Sequence, residues 1–167
     1  MNVLFRELLQ LCLFRSTPAR LPNLPVLTLL LLLADWLLSV VVISTLSDNL
    51  TLTQIVVNVG VAQVALGLLI FAALRLRQLD TRWAQTLSAI FGCDLLLTAL
   101  FGGLLPIGRA LGENPYMMLE VLLQLWTITL YGYLLHLAME MPLLAGILTA
   151  FGILVIGLSV TQALTGG

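Results

Sequence analysis

Apolar positions in this chain neither alternate nor form narrow stripes. They fill five long blocks separated by short polar or glycine- and proline-bearing segments. A helix needs about 20 apolar residues to cross the ~30 Å hydrocarbon layer of a bilayer, and each block has that length. The pattern predicts spans over about 26–46, 52–74, 83–105, 115–138 and 142–164. "SDNLT" follows the first block, and "RLRQLDTR" stops the second with three arginines. "GGLLPIG" closes the third, where glycine and proline are expected to break the helix. Pro115 suits the first turn of the fourth helix, and Pro142 precedes the fifth.

Ahead of these blocks, "NVLFRELLQLCLFR" places Arg6, Glu7 and Gln10 on one helical face and leaves the remainder apolar. It predicts an amphipathic helix, either lying in the membrane interface or packed on the bundle. The three prolines of "STPARLPNLP" forbid a continuous helix into the first span. Residues 1–25 therefore form an N-terminal helix with a proline-rich connector, and residues 26–167 a single transmembrane domain. The fold class expected is an all-α integral membrane bundle of five transmembrane helices preceded by an N-terminal amphipathic interfacial helix.

Composition agrees. Hydrophobic residues make up 60% of the chain and charged residues 9%, against about 25% charge in ordinary soluble domains. A net charge of -1 gives no electrostatic case for nucleic acid. The basic residues are all arginine, and their placement sets the expected topology. Arg6, Arg15 and Arg20 precede the first span, and Arg75, Arg77 and Arg82 lie between the second and third, on the same side. Only Arg109 falls opposite. The positive-inside rule makes the arginine-rich side cytoplasmic, so a bacterial inner membrane would hold the N-terminus inside and the C-terminus in the periplasm. The first apolar run is too long for a signal-peptide core and is expected to be retained. An odd number of spans without an evident repeat argues against a simple inverted-repeat transporter. The loops are short, which leaves activity to the bundle, its loops or a partner.

Charged groups at the bilayer centre cost at least ~2.5–3.5 kcal/mol on insertion scales, and they usually face the bundle interior. Asp35, Asp94 and Glu120 are the candidates, at depths of about 13, 16 and 8 Å along their helices. No basic residue lies between Trp83 and Gly108 to neutralise Asp94. Helical spacing puts Asp35 on one face with Thr28 and Ser39, and Asp94 with Thr98. Glu120, Gln124, Thr127 and Tyr131 line up along the fourth span. On the second span Gln54 and Asn58 share a face while Gln63 lies nearly opposite, so one of them serves a different contact.

If Asp35 and Asp94 meet, the two carboxylates cannot both stay ionised and they titrate as a pair. Three readings stay open: neutral acids acting as interhelical glue, at about 0.6 kcal/mol per bond; acids awaiting a base on a partner subunit; or a proton- or cation-binding site. In the last case the polar cluster Asp35, Asp94, Glu120, Gln124, Thr127, Tyr131 and Asn58 would form the path.

Gly146, Ala150, Gly157 and Thr161 form a small-residue face on the last span, suited to close packing by another helix or another copy. His136 and Glu140, one turn apart, read as a helix-end pair and not a metal site. Cys12 and Cys93 are too few and too distant in sequence for a disulfide framework or a zinc site, and read as packing residues. "NLT" at Asn49 is a glycosylation sequon only in a eukaryotic secretory pathway. No G-x-S-x-G, H-E-x-x-H or phosphate-binding loop occurs, so neither catalysis nor a cofactor or metal is expected.

The layout resembles the Yip1-domain family, with a cytoplasmic N-terminus followed by five closely spaced spans. "LFR" leads into the proline-rich entry from Leu13 to Pro25, "YGY" occupies Tyr131 to Tyr133, and Pro142 opens the last span. The acidic "DLxGP" motif of the eukaryotic members is missing. The resemblance implies a membrane protein that acts through other membrane proteins.

The function expected is a non-enzymatic structural or accessory component of a membrane assembly, whose partners are the lipid bilayer and another membrane protein or a second copy. One alternative is a small proton-coupled or cation-conducting bundle using Asp35, Asp94 and Glu120. Another is lipid binding through the N-terminal helix and the arginines, which attract anionic headgroups at ~1 kcal/mol each.

Overall fold

The structure, a computed structural model, describes residues 2–46 and 50–165. All regular structure among them is helical. The order is α1 (Asn2–Cys12), α2 (Pro25–Leu46), α3 (Leu52–Leu76), α4 (Trp83–Leu111), α5 (Glu113–Met139) and α6 (Leu143–Thr165). Short 3-10 turns at Pro18–Arg20 and Asp80–Arg82 join α1 to α2 and α3 to α4. Helices α2 to α6 are each long and apolar enough to cross a membrane, which makes this a multi-pass membrane protein. Asn49 of the "NLT" sequon lies outside the described residues.

Local chemistry explains the helix ends. Pro25 starts α2, where its missing N–H costs nothing. Thr51 caps α3 through a reciprocal box: its side chain accepts from the Gln54 N–H, and the Gln54 side chain accepts from the Thr51 N–H. At the far end of the bundle Arg109 donates to the last carbonyl of α2, Leu46, at 2.7 Å, and lies 5.1 Å over the Tyr116 ring. Glu140 takes a left-handed conformation after α5, at φ 53°, and Pro142 follows it.

One boundary differs from the sequence pattern. Pro106 does not end α4; the helix continues to Leu111 and stops at Gly112, where φ is 116°. A proline ring crowds the carbonyl four residues earlier, which here belongs to Gly102, a residue free of Cβ constraints. The freed backbone group lies near a helix end, where small adjustments re-satisfy it.

The five long helices close into a ring in the order α2, α4, α5, α6, α3, with α2 and α3 in contact. Ile70, Leu74, Leu87, Ile90, Phe91, Leu130 and Leu134 fill its interior. The tightest crossing joins α5 to α6, where Gly132 and Gly146 meet backbone to backbone. Gly146 and Ala150 of the predicted small-residue face are buried. Gly157 has open space beside it, and Thr161 back-bonds to the Gly157 carbonyl.

Helix α1 packs on the bundle, against α4. Leu8, Leu11 and Cys12 are buried, and Leu8 sits over Gly92, where a Cβ would come within 2.5 Å of it. Cys93 Sγ donates to the Leu8 carbonyl at 4.0 Å, and Trp126 donates to the Cys12 carbonyl at 3.4 Å. Phe5, Leu9 and Leu13 stay exposed on the neighbouring face, about 100° around the helix. The helix thus has one apolar face packed on the bundle and another left exposed. The docking of α1 on α4 brings Cys12 and Cys93 into the same neighbourhood. Both thiols are buried, so a membrane-permeant maleimide should alkylate Cys93 slowly in the intact protein. Deleting residues 2–12 should speed that reaction at least about tenfold, the factor for ~1.4 kcal/mol of lost protection. Equal rates, read by mass shift, would mean that α1 is not seated as described.

Candidate functional site

Four of the five long helices bring a polar side chain to the interior of the ring at similar depth. Measured along each helix from the arginine-rich end, Tyr131, Asp35, Asp94 and Gln63 lie between about 12 and 20 Å in. The strand-free ring makes the meeting possible, because α2, α4 and α5 are consecutive neighbours and α3 adjoins α2. Helix α6 contributes small and apolar groups instead, Gly146, Ala150 and Ile153.

Asp35 is fully buried, and its Oδ2 accepts from Gln63 Nε2 at 2.7 Å. Asp94, half-buried, neighbours Asp35, and Tyr131 neighbours Asp94. The cluster therefore runs Gln63, Asp35, Asp94, Tyr131 across α3, α2, α4 and α5. Two carboxyls facing each other make a hydrogen bond only when a proton sits between them. Asp35 Oδ1 and Gln63 Oε1 are buried and accept from no donor in the protein. Buried oxygens without donors are rare and costly, so this pair marks the place where a proton or a water hydrogen would be bound. Among the described residues no group of three His, Cys, Asp or Glu side chains could hold a metal ion.

The other polar residues singled out from the sequence are placed elsewhere. Gln124 is exposed on the outside of α5, while Glu120 is half-buried without a hydrogen bond to the cluster. Thr127 back-bonds to the Leu123 carbonyl at 3.1 Å. Helical alignment puts these three on one side with Tyr131, but Glu120 and Tyr131 lie about 16 Å apart along the axis, so the two ends of the stripe meet different surroundings. Asn58 is half-buried on the other side of α3 from Gln63. Thr28 bonds to the Ala84 carbonyl at 3.0 Å and to Ser88 at 2.8 Å, so it locks α2 to α4 nearer the arginine-rich end.

No family model, curated protein or solved structure matches the chain.

His136 and Glu140 do not pair with each other. The His136 ring nitrogen Nδ1 meets the Met141 carbonyl, and Glu140 accepts from Arg82 at 2.6 Å. Both partners of that ion pair are largely exposed, which limits it to a modest contribution. Of the arginines, Arg82 thus ties the connection between α3 and α4 to the end of α5, whereas Arg6, Arg15, Arg20, Arg75 and Arg77 enter no ion pair among the described residues.

Gln63 is the member that sequence reasoning did not assign. The signal lay in its position: Gln54 is at a helix end, where a cap could use it, whereas Gln63 lies deep in the span.

Proposed function

We propose that this protein is a non-enzymatic structural or accessory component of a membrane assembly, and that the carboxyl cluster specifies how its helices meet. The observation that carries this reading is that Asp35, Gln63, Asp94 and Tyr131, from four different helices, gather at similar depth in the ring, with Gln63 bonded directly to Asp35. Interhelical polar bonds are modest individually but fix register, because a slipped helix would strand its polar group in hydrocarbon. Arginine placement supports a bacterial inner-membrane orientation with the N-terminus in the cytoplasm, and the five-span layout supports kinship with Yip1-domain proteins.

Purification in mild detergent tests the accessory role. A second copy or a co-purifying membrane protein is expected, and a strictly monomeric species without a partner would count against it. The buried, donor-free oxygens of Asp35 and Gln63 favour a second reading, in which the cluster takes up and releases a proton or small cation. Asp94→Asn separates the two. An asparagine amide offers Asp35 a permanent donor, so helix glue should tolerate it within about 1 kcal/mol. A proton carrier would instead lose pH-driven flux in liposomes, and wild-type flux that is absent or unchanged by the substitution removes the second reading.

A further inference from the structure

Between α2, α3 and α4 a cleft of about 400 Å³ opens sideways, lined by Leu32, Gly67, Leu68, Phe71, Trp83 and Leu87. Its volume lies within the range of ligand pockets. The rim residues Val64 and Leu68 are exposed, so in a bilayer the opening faces hydrocarbon and is reached through the membrane. An acyl chain fits such a lining, and the polar atoms at one end of the cleft say more.

Trp83 is the first residue of α4, at the arginine-rich end, and packs edge-on against Phe71 at 5.9 Å. Its indole Nε1–H is buried and finds no acceptor in the protein. Indole N–H groups almost always find a partner when buried, and at a membrane interface that partner is ordinarily a lipid or water oxygen. One turn beyond Phe71 on α3 is Arg75, on the same helical face as Val64 and Leu68. Arg75 is exposed and enters no ion pair among the described residues, unlike Arg82, which is held by Glu140. The arginine-rich end of the cleft therefore carries an orphan donor, with an unpaired cation one turn further along α3, while the rest of its lining is mostly apolar. A partner helix would fill the floor but would bring no anionic oxygen to that height without an acidic residue of its own.

We propose that this cleft binds an anionic phospholipid, with one acyl chain against Gly67 and Leu68, an oxygen of the headgroup region accepting from Trp83 Nε1, and the phosphate paired with Arg75. The site is separate from the carboxyl cluster, although Gln63 lies at its deep end and joins the two.

Native mass spectrometry of the purified full chain, titrated with phosphatidylglycerol or phosphatidylcholine in matched micelles, tests the site. Phosphatidylglycerol should stay bound under conditions that strip phosphatidylcholine, with about tenfold preference for the anionic lipid. Arg75→Gln should lower that retention about fivefold, the factor for one arginine near an anionic headgroup. Trp83→Phe keeps an aromatic ring but removes the N–H donor together with part of the indole, and should lower it to a similar degree. Gly67→Leu should abolish retention, because a Cβ there meets only Leu87 Cδ1 at 3.9 Å and the larger side chain extends into the cleft. Circular dichroism and elution volume establish that each variant folds. Equal retention of the two lipids overturns the proposal, as does unchanged phosphatidylglycerol retention in a folded Trp83→Phe or Gly67→Leu variant.

Discussion

Replacing Gly146 by alanine is expected to unseat α6 from α5 and to cost about 3 kcal/mol, the upper part of the range for overpacking a tight interior. A Cβ at this position would lie 2.3 Å from the Gly132 carbonyl oxygen and 3.0 Å from the His136 N–H nitrogen. Both obstacles are backbone, which cannot rotate away as a side chain can. The crossing is tight from the other side too, since a Cβ on Gly132 would lie 2.6 Å from Ile147 Cα. Gly157→Ala provides the comparison on the same helix: nothing lies within 4 Å of its added methyl, so its effect should remain within about 0.5 kcal/mol. Unfolding of the two variants and the unaltered protein in mixed micelles measures the difference. If Gly146→Ala were no less stable than Gly157→Ala, the α5–α6 crossing would not be as close as described.

That comparison also shows how far a small-residue stripe could be read in advance. The spacing of Gly146, Ala150, Gly157 and Thr161 marks one side of α6, but it cannot say where along that side a neighbour comes close. The neighbour is α5, and contact is tightest where Gly132 faces Gly146. The same limit applies to the fourth span. Its stripe from Glu120 to Tyr131 is a property of one helix, whereas burial depends on which helices flank each turn, and only the Tyr131 end reaches the ring interior. Span number, the depth of Asp35 and Asp94 and the proline-bounded connector were all legible, because they depend on length and on rise per residue. Pro106 was misread for a related reason. Its effect depends on the residue four positions earlier, and Gly102 leaves the helix room to continue.

The N-terminal helix illustrates a different limit. A helix with polar residues on one face and apolar residues over the rest suits either a membrane surface or a protein groove, and the sequence carries no sign of which is nearer. Gly92 on α4 supplies the deciding feature, a gap in the wall that accepts Leu8. A single glycine in an apolar block does not stand out from sequence alone. The closeness of Cys12 and Cys93 is likewise a consequence of that docking and not of their spacing.

Substituting Asp35 by leucine should destabilise the bundle by about 1–3 kcal/mol, and substituting Gln63 by leucine on top of it should recover most of the loss. Asp35 is fully buried and is the acceptor for Gln63 Nε2, so Asp35→Leu strands an amide donor in an apolar interior. Leaving a buried polar group unpaired costs its full desolvation, about 1–3 kcal/mol, whereas replacing both partners with apolar groups of similar size is nearly neutral. Gln63→Leu alone should cost less than Asp35→Leu, because Asp35 retains Asp94 as a neighbour. Average couplings of interhelical polar pairs in membranes are about 0.6 kcal/mol, with a maximum near 1.7, since helices unfolded within a bilayer find other partners. The 2.7 Å contact and the burial of both residues put this pair toward the upper figure. A double-mutant cycle read by unfolding in micelles gives the coupling directly. A value indistinguishable from zero would mean that Asp35 and Gln63 do not hold each other, and the carboxyl pair, not the amide, would then have to fix α2 in the ring.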